Sequence, residues 1–111
     1  MSSVAAFQTS PTATIAASGT KTGAIGFADY ASGGFILPAT FTGTAITFEV
    51  SEDGTNFTAL YDNATGAVVS MTVAQGRAYP FPVSIFPWSW IKLVSGSTEG
   101  AARTIQLALK Y

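Results

Sequence analysis

The 111-residue chain contains no cysteine and no histidine. Disulfides, thiolate nucleophiles, imidazole bases and the usual zinc and haem ligands are excluded together. Charge is scarce too: charged residues make up 10% of the chain, against about 25% in an average soluble domain. The cations Lys21, Arg77, Lys92, Arg103 and Lys110 are scattered, and six acids bring the net charge to -1. Nucleic-acid binding draws on clustered Lys and Arg contacts to phosphates, and anionic membranes need a basic patch, so neither partner is expected. No run approaches the ~20 apolar residues that span a bilayer. The uncharged start lacks the basic opening and continuous apolar stretch of a signal peptide, and the chain reads as made and folded in a cytosol.

What is present is hydrophobic: 48% of residues are apolar or aromatic. The length is that of one domain, and folding should bury roughly 65% of the unfolded chain's surface, enough for a core without staples. From Ala24 onward the hydrophobic period is two. Ile46, Phe48 and Val50 alternate with Thr47 and Glu49; Ile91 and Leu93 flank Lys92; Ile105, Leu107 and Leu109 alternate with Thr104, Gln106 and Lys110. These are half-buried strand patterns. Further strands are expected at Ala24 to Phe27, Gly34 to Leu37, Phe57 to Tyr61, Ala67 to Val73 and around Ala78 to Val83. Asp53-Gly54, Gly33-Gly34, Asn63 to Gly66, Gln75-Gly76 and Ser95 to Gly100 supply the turns between them. No helical period survives. The expected fold is all-β: a single antiparallel β-sandwich of about eight strands, jelly-roll-like rather than immunoglobulin-like.

Residues 1–23 are rich in Ser, Thr and Ala, with Pro11 and Gly19 as breakers and Val4, Phe7 and Ile15 as sizeable apolar groups. They read as an N-terminal arm with one short strand near Thr12 to Ala17, ahead of a sandwich domain over 24–111. Such an arm either frays or docks on a neighbouring subunit, and in the second case Phe7 and Ile15 are its anchors.

Catalysis is not expected, and neither is a metal or cofactor. Serine hydrolysis would have to manage without histidine, the acids do not converge as a glycosidase pair, and no phosphate-binding glycine loop precedes a helix. The turn from Ser51 to Asn56 offers closely spaced oxygens but lacks the alternating acids of a calcium loop, and reads as a hairpin. Asn56-Phe57-Thr58 and Asn63-Ala64-Thr65 match the glycosylation pattern and read as turn residues in a chain without a secretory signal.

The segment from Tyr79 to Trp90 is the most unusual. Pro80, Pro82 and Pro87 prevent a regular central strand. Phe81, Phe86 and Trp88 are expected to cap one end of the core, and whichever of Tyr79, Phe86, Trp88 and Trp90 remain outside are interface candidates. Trp90 shares strand parity with Lys92, so it faces outward if Ile91 and Leu93 face the core. An exposed Trp suits contact with a sugar or a protein.

The run from Ile46 to Asp62, followed by Trp90 to Gly96 and Ala102 to Leu107, resembles small β-sandwich virion proteins of tailed bacteriophages over roughly Leu37 to Tyr111. Its S-x-D-G-x-x-F core also resembles the hairpin of discoidin-like sandwiches. The phage resemblance implies binding without catalysis: a capsid decoration or cement protein on the virion surface, holding the major capsid protein and self-associating, with a trimer favoured. Two alternatives stand beside it. One is a carbohydrate- or receptor-binding module of a phage tail, with Trp90, Trp88 and Tyr79 stacking on sugar rings. The other is a head-tail or tail tube component.

Overall fold

The computed structural model describes Gln8, Thr9 and residues 11–111. In chain order the strands are β1 (Gln8–Thr9), β2 (Thr12–Ile15), β3 (Ile25–Gly26), β4 (Ser32–Ile36), β5 (Ala45–Ser51), β6 (Thr58–Ala59), β7 (Ser70–Thr72), β8 (Ala78–Pro80), β9 (Trp90–Ser95) and β10 (Arg103–Lys110). Among the described residues a 3-10 turn, Val83–Ile85, lies between β8 and β9. Every pairing is antiparallel, in two sheets.

Two of the lanes are broken strands. β1 and β2 lie along the same side of β10, with Thr9 opposite Leu109 and Thr12 opposite Gln106. Pro11 stands at the break; it has no N–H to give, but its carbonyl accepts the Leu107 N–H at 2.8 Å and keeps the lane attached. β6 and β7 share one side of β5 in the same manner, with Thr58 opposite Val50 and Ser70 opposite Thr47. Between them the chain leaves the sheet in a small hairpin closed by the Tyr61–Val68 bridge.

Merging each broken pair leaves eight lanes. The first sheet runs β1/β2–β10–β4–β8 and the second β3–β9–β5–β6/β7. Numbered along the chain, these lanes are 1-8-3-6 and 2-7-4-5, the interleaved double Greek key of a jelly roll. The all-β, eight-lane sandwich expected from the two-residue period is the observed fold.

The core lies between the sheets. Ile46, Phe48, Ile91, Leu93 and Ile105 are fully buried, and Val50, Leu107 and Leu109 nearly so, as their alternation requires. Each such side chain stabilises the fold by about 1.5–3 kcal/mol relative to exposure. One end is closed by aromatics: the Phe27 ring meets Phe81 at 5.3 Å and Phe86 at 5.4 Å, and Phe81 meets Phe35 at 5.2 Å.

The opposite end is closed by a buried carboxylate. Glu99, fully buried, accepts the Arg103 Nε–H at 2.9 Å, the Thr42 and Gly43 N–H groups at 3.0 and 3.1 Å, and the Ser95 hydroxyl at 3.0 Å. Its own backbone exchanges hydrogen bonds with Ser18 and Gly19. Burial alone would raise its pKa, but the Arg103 and Thr42 hydrogen bonds overcome that and bring it down to about 2.

The N-terminal segment departs from the expectation of a separate arm. β2 is a full member of the first sheet, Ala13 and Ile15 are buried in the core, and Lys21 and Thr22 bridge back to Val94 and Ile15. Ile15 has no exposed surface and is therefore not an anchor for a neighbouring subunit. The domain begins inside the segment read as an arm, because β10 is a central strand that needs a partner on each side. Phe7, the other anchor expected, lies outside the described residues.

Candidate functional site

The two outer sheet faces differ in charge. On the second sheet, Lys21 Nζ pairs with Glu49 Oε2 at 2.6 Å, and Lys92 Nζ sits 4.5 Å from the centre of the Phe57 ring. On the first sheet the outward positions are set by the parity of the buried ones. Thr12, Thr14, Thr104, Gln106, Ala108, Ile36, Ala78 and Pro80 are all exposed, and none is charged. Cations stand only at its margins: Lys110 at the end of β10 and Arg77 just before β8.

Register arranges these side chains in rows. Thr12, Gln106, Ile36 and Ala78 form one row across four lanes, and Ala108, Gly34 and Pro80 form the next. Gly34 has to be small, since a Cβ there would stand 2.6 Å from the Tyr79 carbonyl oxygen. The missing side chain leaves a shallow apolar trough of about 360 Å³ between Ile36, Ala78, Pro80 and Ala108. The β8 edge is three residues long and ends in proline, so it offers little backbone for another strand to pair with.

The aromatic candidates separate. Phe86 packs, partly buried, in the core-capping cluster with Phe27 and Phe81, as expected for a cap. Tyr79 turns inward beside Phe35 at 5.8 Å, and its hydroxyl accepts the Ala74 N–H at 2.8 Å. Trp88 packs half-buried against the core and walls a hollow with Glu52, Asn56 and Tyr61. Trp90 is 37% exposed and faces outward, as its parity requires, with Gly54 and Gly26 against its ring. Tyr79, Trp88 and Trp90 therefore stand in three different places and do not make one stacking platform.

The acidic turn is self-contained. Asp53 Oδ1 accepts the Thr55 and Asn56 N–H groups at 2.8 Å and the Ser51 hydroxyl at 2.9 Å, and Oδ2 accepts the Asn56 amide at 2.8 Å. The backbone bonds from Asn56 and Thr55 hold its carboxyl well below the usual carboxylate range. Both oxygens are already engaged by the turn, which is the chemistry of a rigid hairpin and not of a calcium loop. Sequence reasoning missed Glu99 and Tyr61. The i,i+4 spacing of Glu99 and Arg103 was the available signal for the first, and the Asp-Asn turn directly after Tyr61 for the second.

No protein-family model matches the chain, and no curated protein sequence matches it significantly. Among solved structures, it is similar to the SPBc2 prophage-derived protein YomS, with a TM-score of 0.62 and 16% identity over 94% of this chain and 93% of that one. The Yersinia pseudotuberculosis-derived mitogen YPM aligns with a TM-score of 0.42 and 15% identity over 93% of this chain and 84% of that one. The first likeness is one of fold.

Proposed function

We propose that this chain is a structural protein of a bacteriophage virion, a decoration or cement protein that docks on the major capsid protein lattice through the outer face of its first sheet. The observation that carries the reading is the nearly uncharged face made by β2, β10, β4 and β8, with cations only at its margins. Thr, Ala, Gly and Gln allow close approach at small desolvation cost, whereas a Lys and Glu surface would have to strip ions of water. The likeness in fold to a prophage-derived protein supports a phage setting.

The dimensions of the face bear on how it would be used. Eight residues of β10 at about 3.4 Å each, and four lanes at about 4.8 Å, give roughly 500 Å². A stable complex buries about 800 Å² per partner. One copy would hold weakly, and a homo-oligomer, a trimer in the favoured arrangement, would reach useful affinity by multiplying contacts.

The test is co-sedimentation of the purified chain with heads of its own phage lacking it, in expanded and unexpanded forms, together with light scattering during size exclusion. Binding to expanded heads, lost in Thr104→Glu and Ile36→Glu with unchanged melting temperature, is the expected result. A chain that stays monomeric at high concentration and ignores both head forms, or variants that bind as well as the parent, would overturn the reading.

A further inference from the structure

At the aromatic end of the sandwich, on a surface separate from the uncharged sheet face, three loops converge. They are the β5–β6 turn, the hairpin between β6 and β7, and the segment leading from β8 to β9. Together they enclose two adjoining hollows, of about 480 Å³ and 390 Å³. Both volumes fall within the range of small-ligand sites. Tyr61 lines both and is the wall between them.

Tyr61 contributes nothing to the core: it is 61% exposed. The backbone that carries it is nevertheless fixed. The hairpin it opens is closed by the Tyr61–Val68 bridge, by the Asp62 N–H donating to Ala67 O at 2.8 Å, and by the Gly66 N–H donating to Asp62 O at 2.8 Å. Asp62 Oδ1 accepts the Ala64 N–H at 2.9 Å, which fixes the carboxylate as well. Among the described residues, Asp62 Oδ2 and the Asn63 amide make no hydrogen bond and are left to the first hollow. In the second hollow, Trp88 supplies another aromatic wall, beside Asn56 and Glu52. Glu52 Oε2 is braced by the Ser89 N–H at 3.3 Å.

An exposed aromatic ring carried on a hydrogen-bonded hairpin and flanked by planar amides and carboxylates matches the chemistry of a pyranose, whose C–H face stacks on a ring while its hydroxyls bond in the plane around it. No lysine or arginine lines either hollow, and each contains an acid. Uronic acids, sialic acids and phosphates would be repelled. A single sugar ring fits one hollow, so the divider between them calls for at least two linked residues. We infer that this end of the molecule binds a neutral oligosaccharide, laid across Tyr61 with one sugar in each hollow. The site does not depend on the capsid-docking reading.

The experiment uses the full chain on an array of neutral and acidic glycans, followed by saturation-transfer NMR and calorimetry with the neutral hits and with polygalacturonate as the acidic probe. Neutral oligosaccharides of two or more residues should bind, with polygalacturonate silent. Tyr61→Ala, which removes an exposed ring and leaves the circular dichroism unchanged, should weaken binding at least about tenfold, or about 1.4 kcal/mol. Asn63→Ala should weaken it several-fold, and Trp90→Ala should leave it unchanged. The inference is overturned if no neutral glycan binds at about 5 mM, a concentration at which a Kd of about 1 mM would leave most of the chain occupied. It is equally overturned if Tyr61→Ala binds like the parent, if acidic glycans bind as well, or if the hollows capture only a protein partner.

Discussion

Replacing Glu99 by glutamine tests whether one buried carboxylate holds an end of the sandwich together. The amide keeps the shape but loses the charge, and its NH2 group must face either the Thr42 N–H and Arg103 Nε–H or the Gly43 N–H, all of which are donors. The ordinary glutamate pKa of 4.5 falls to about 2 in the folded chain, a difference equivalent to about 3 kcal/mol. Removing one partner of a buried pair costs about 3–5 kcal/mol in other proteins, an effect of the same order. For a domain of this size the loss corresponds to a melting point lower by about 12 °C. The sign with pH follows from the direction of the shift. A depressed carboxylate stabilises the fold fully above its unfolded value of 4.5, and that contribution fades as pH falls toward 2. Calorimetric melts of parent and Glu99→Gln should therefore differ by the full amount at pH 7 and converge below pH 4.5. Asp53 is also depressed, but it is present in both proteins and cancels in the difference. A Gln variant that melts within about 2 °C of the parent at neutral pH, less than about 1 kcal/mol, would refute the reasoning.

Three further outcomes are expected. Ile15→Ala, at a fully buried site, should cost about 2–5 kcal/mol in urea denaturation; a neutral result would restore the view of residues 1–23 as an arm outside the fold. Gly54 has φ +78° and a Cβ there would stand 3.0 Å from Trp90 Cε2, so Gly54→Ala should lose about 1–2 kcal/mol and shift the Trp fluorescence; unchanged emission would count against the packing of Trp90 over this turn. Gly34→Val should separate β4 from β8, with a loss of about 1–3 kcal/mol and faster hydrogen exchange at Phe35 and Phe81; exchange rates equal to the parent's would show that the strands do not need the glycine.

Much of the fold was legible in the alternation of residues. The Ile46, Phe48, Val50 series and the Ile105, Leu107, Leu109 series each state which side of a strand is covered, because a pleated chain sends successive side chains to opposite faces. The same parity placed Trp90 outside and left Thr104, Gln106 and Ala108 on a face where β10 carries one ion, Lys110, at its end. Asp53-Gly54 announced its hairpin through chemistry local to the turn. These properties depend on neighbours in sequence, and sequence alone determined them.

Which strand sits beside which was decided only in three dimensions. Nothing in Thr12 to Ile15 says that its partner is Arg103 to Gln106, about ninety residues away, so a core strand was read as part of a free arm. Glu99 gathers donors from residues 42, 43, 95 and 103, and of these its sequence spacing signals only Arg103. Tyr61 and Trp88 come to share one hollow because a broken edge lane and a proline-rich crossover end on the same side of the sandwich. Pairing between distant strands is selected by the burial and hydrogen bonding of the whole sheet, and no local pattern encodes a sum taken over the entire molecule.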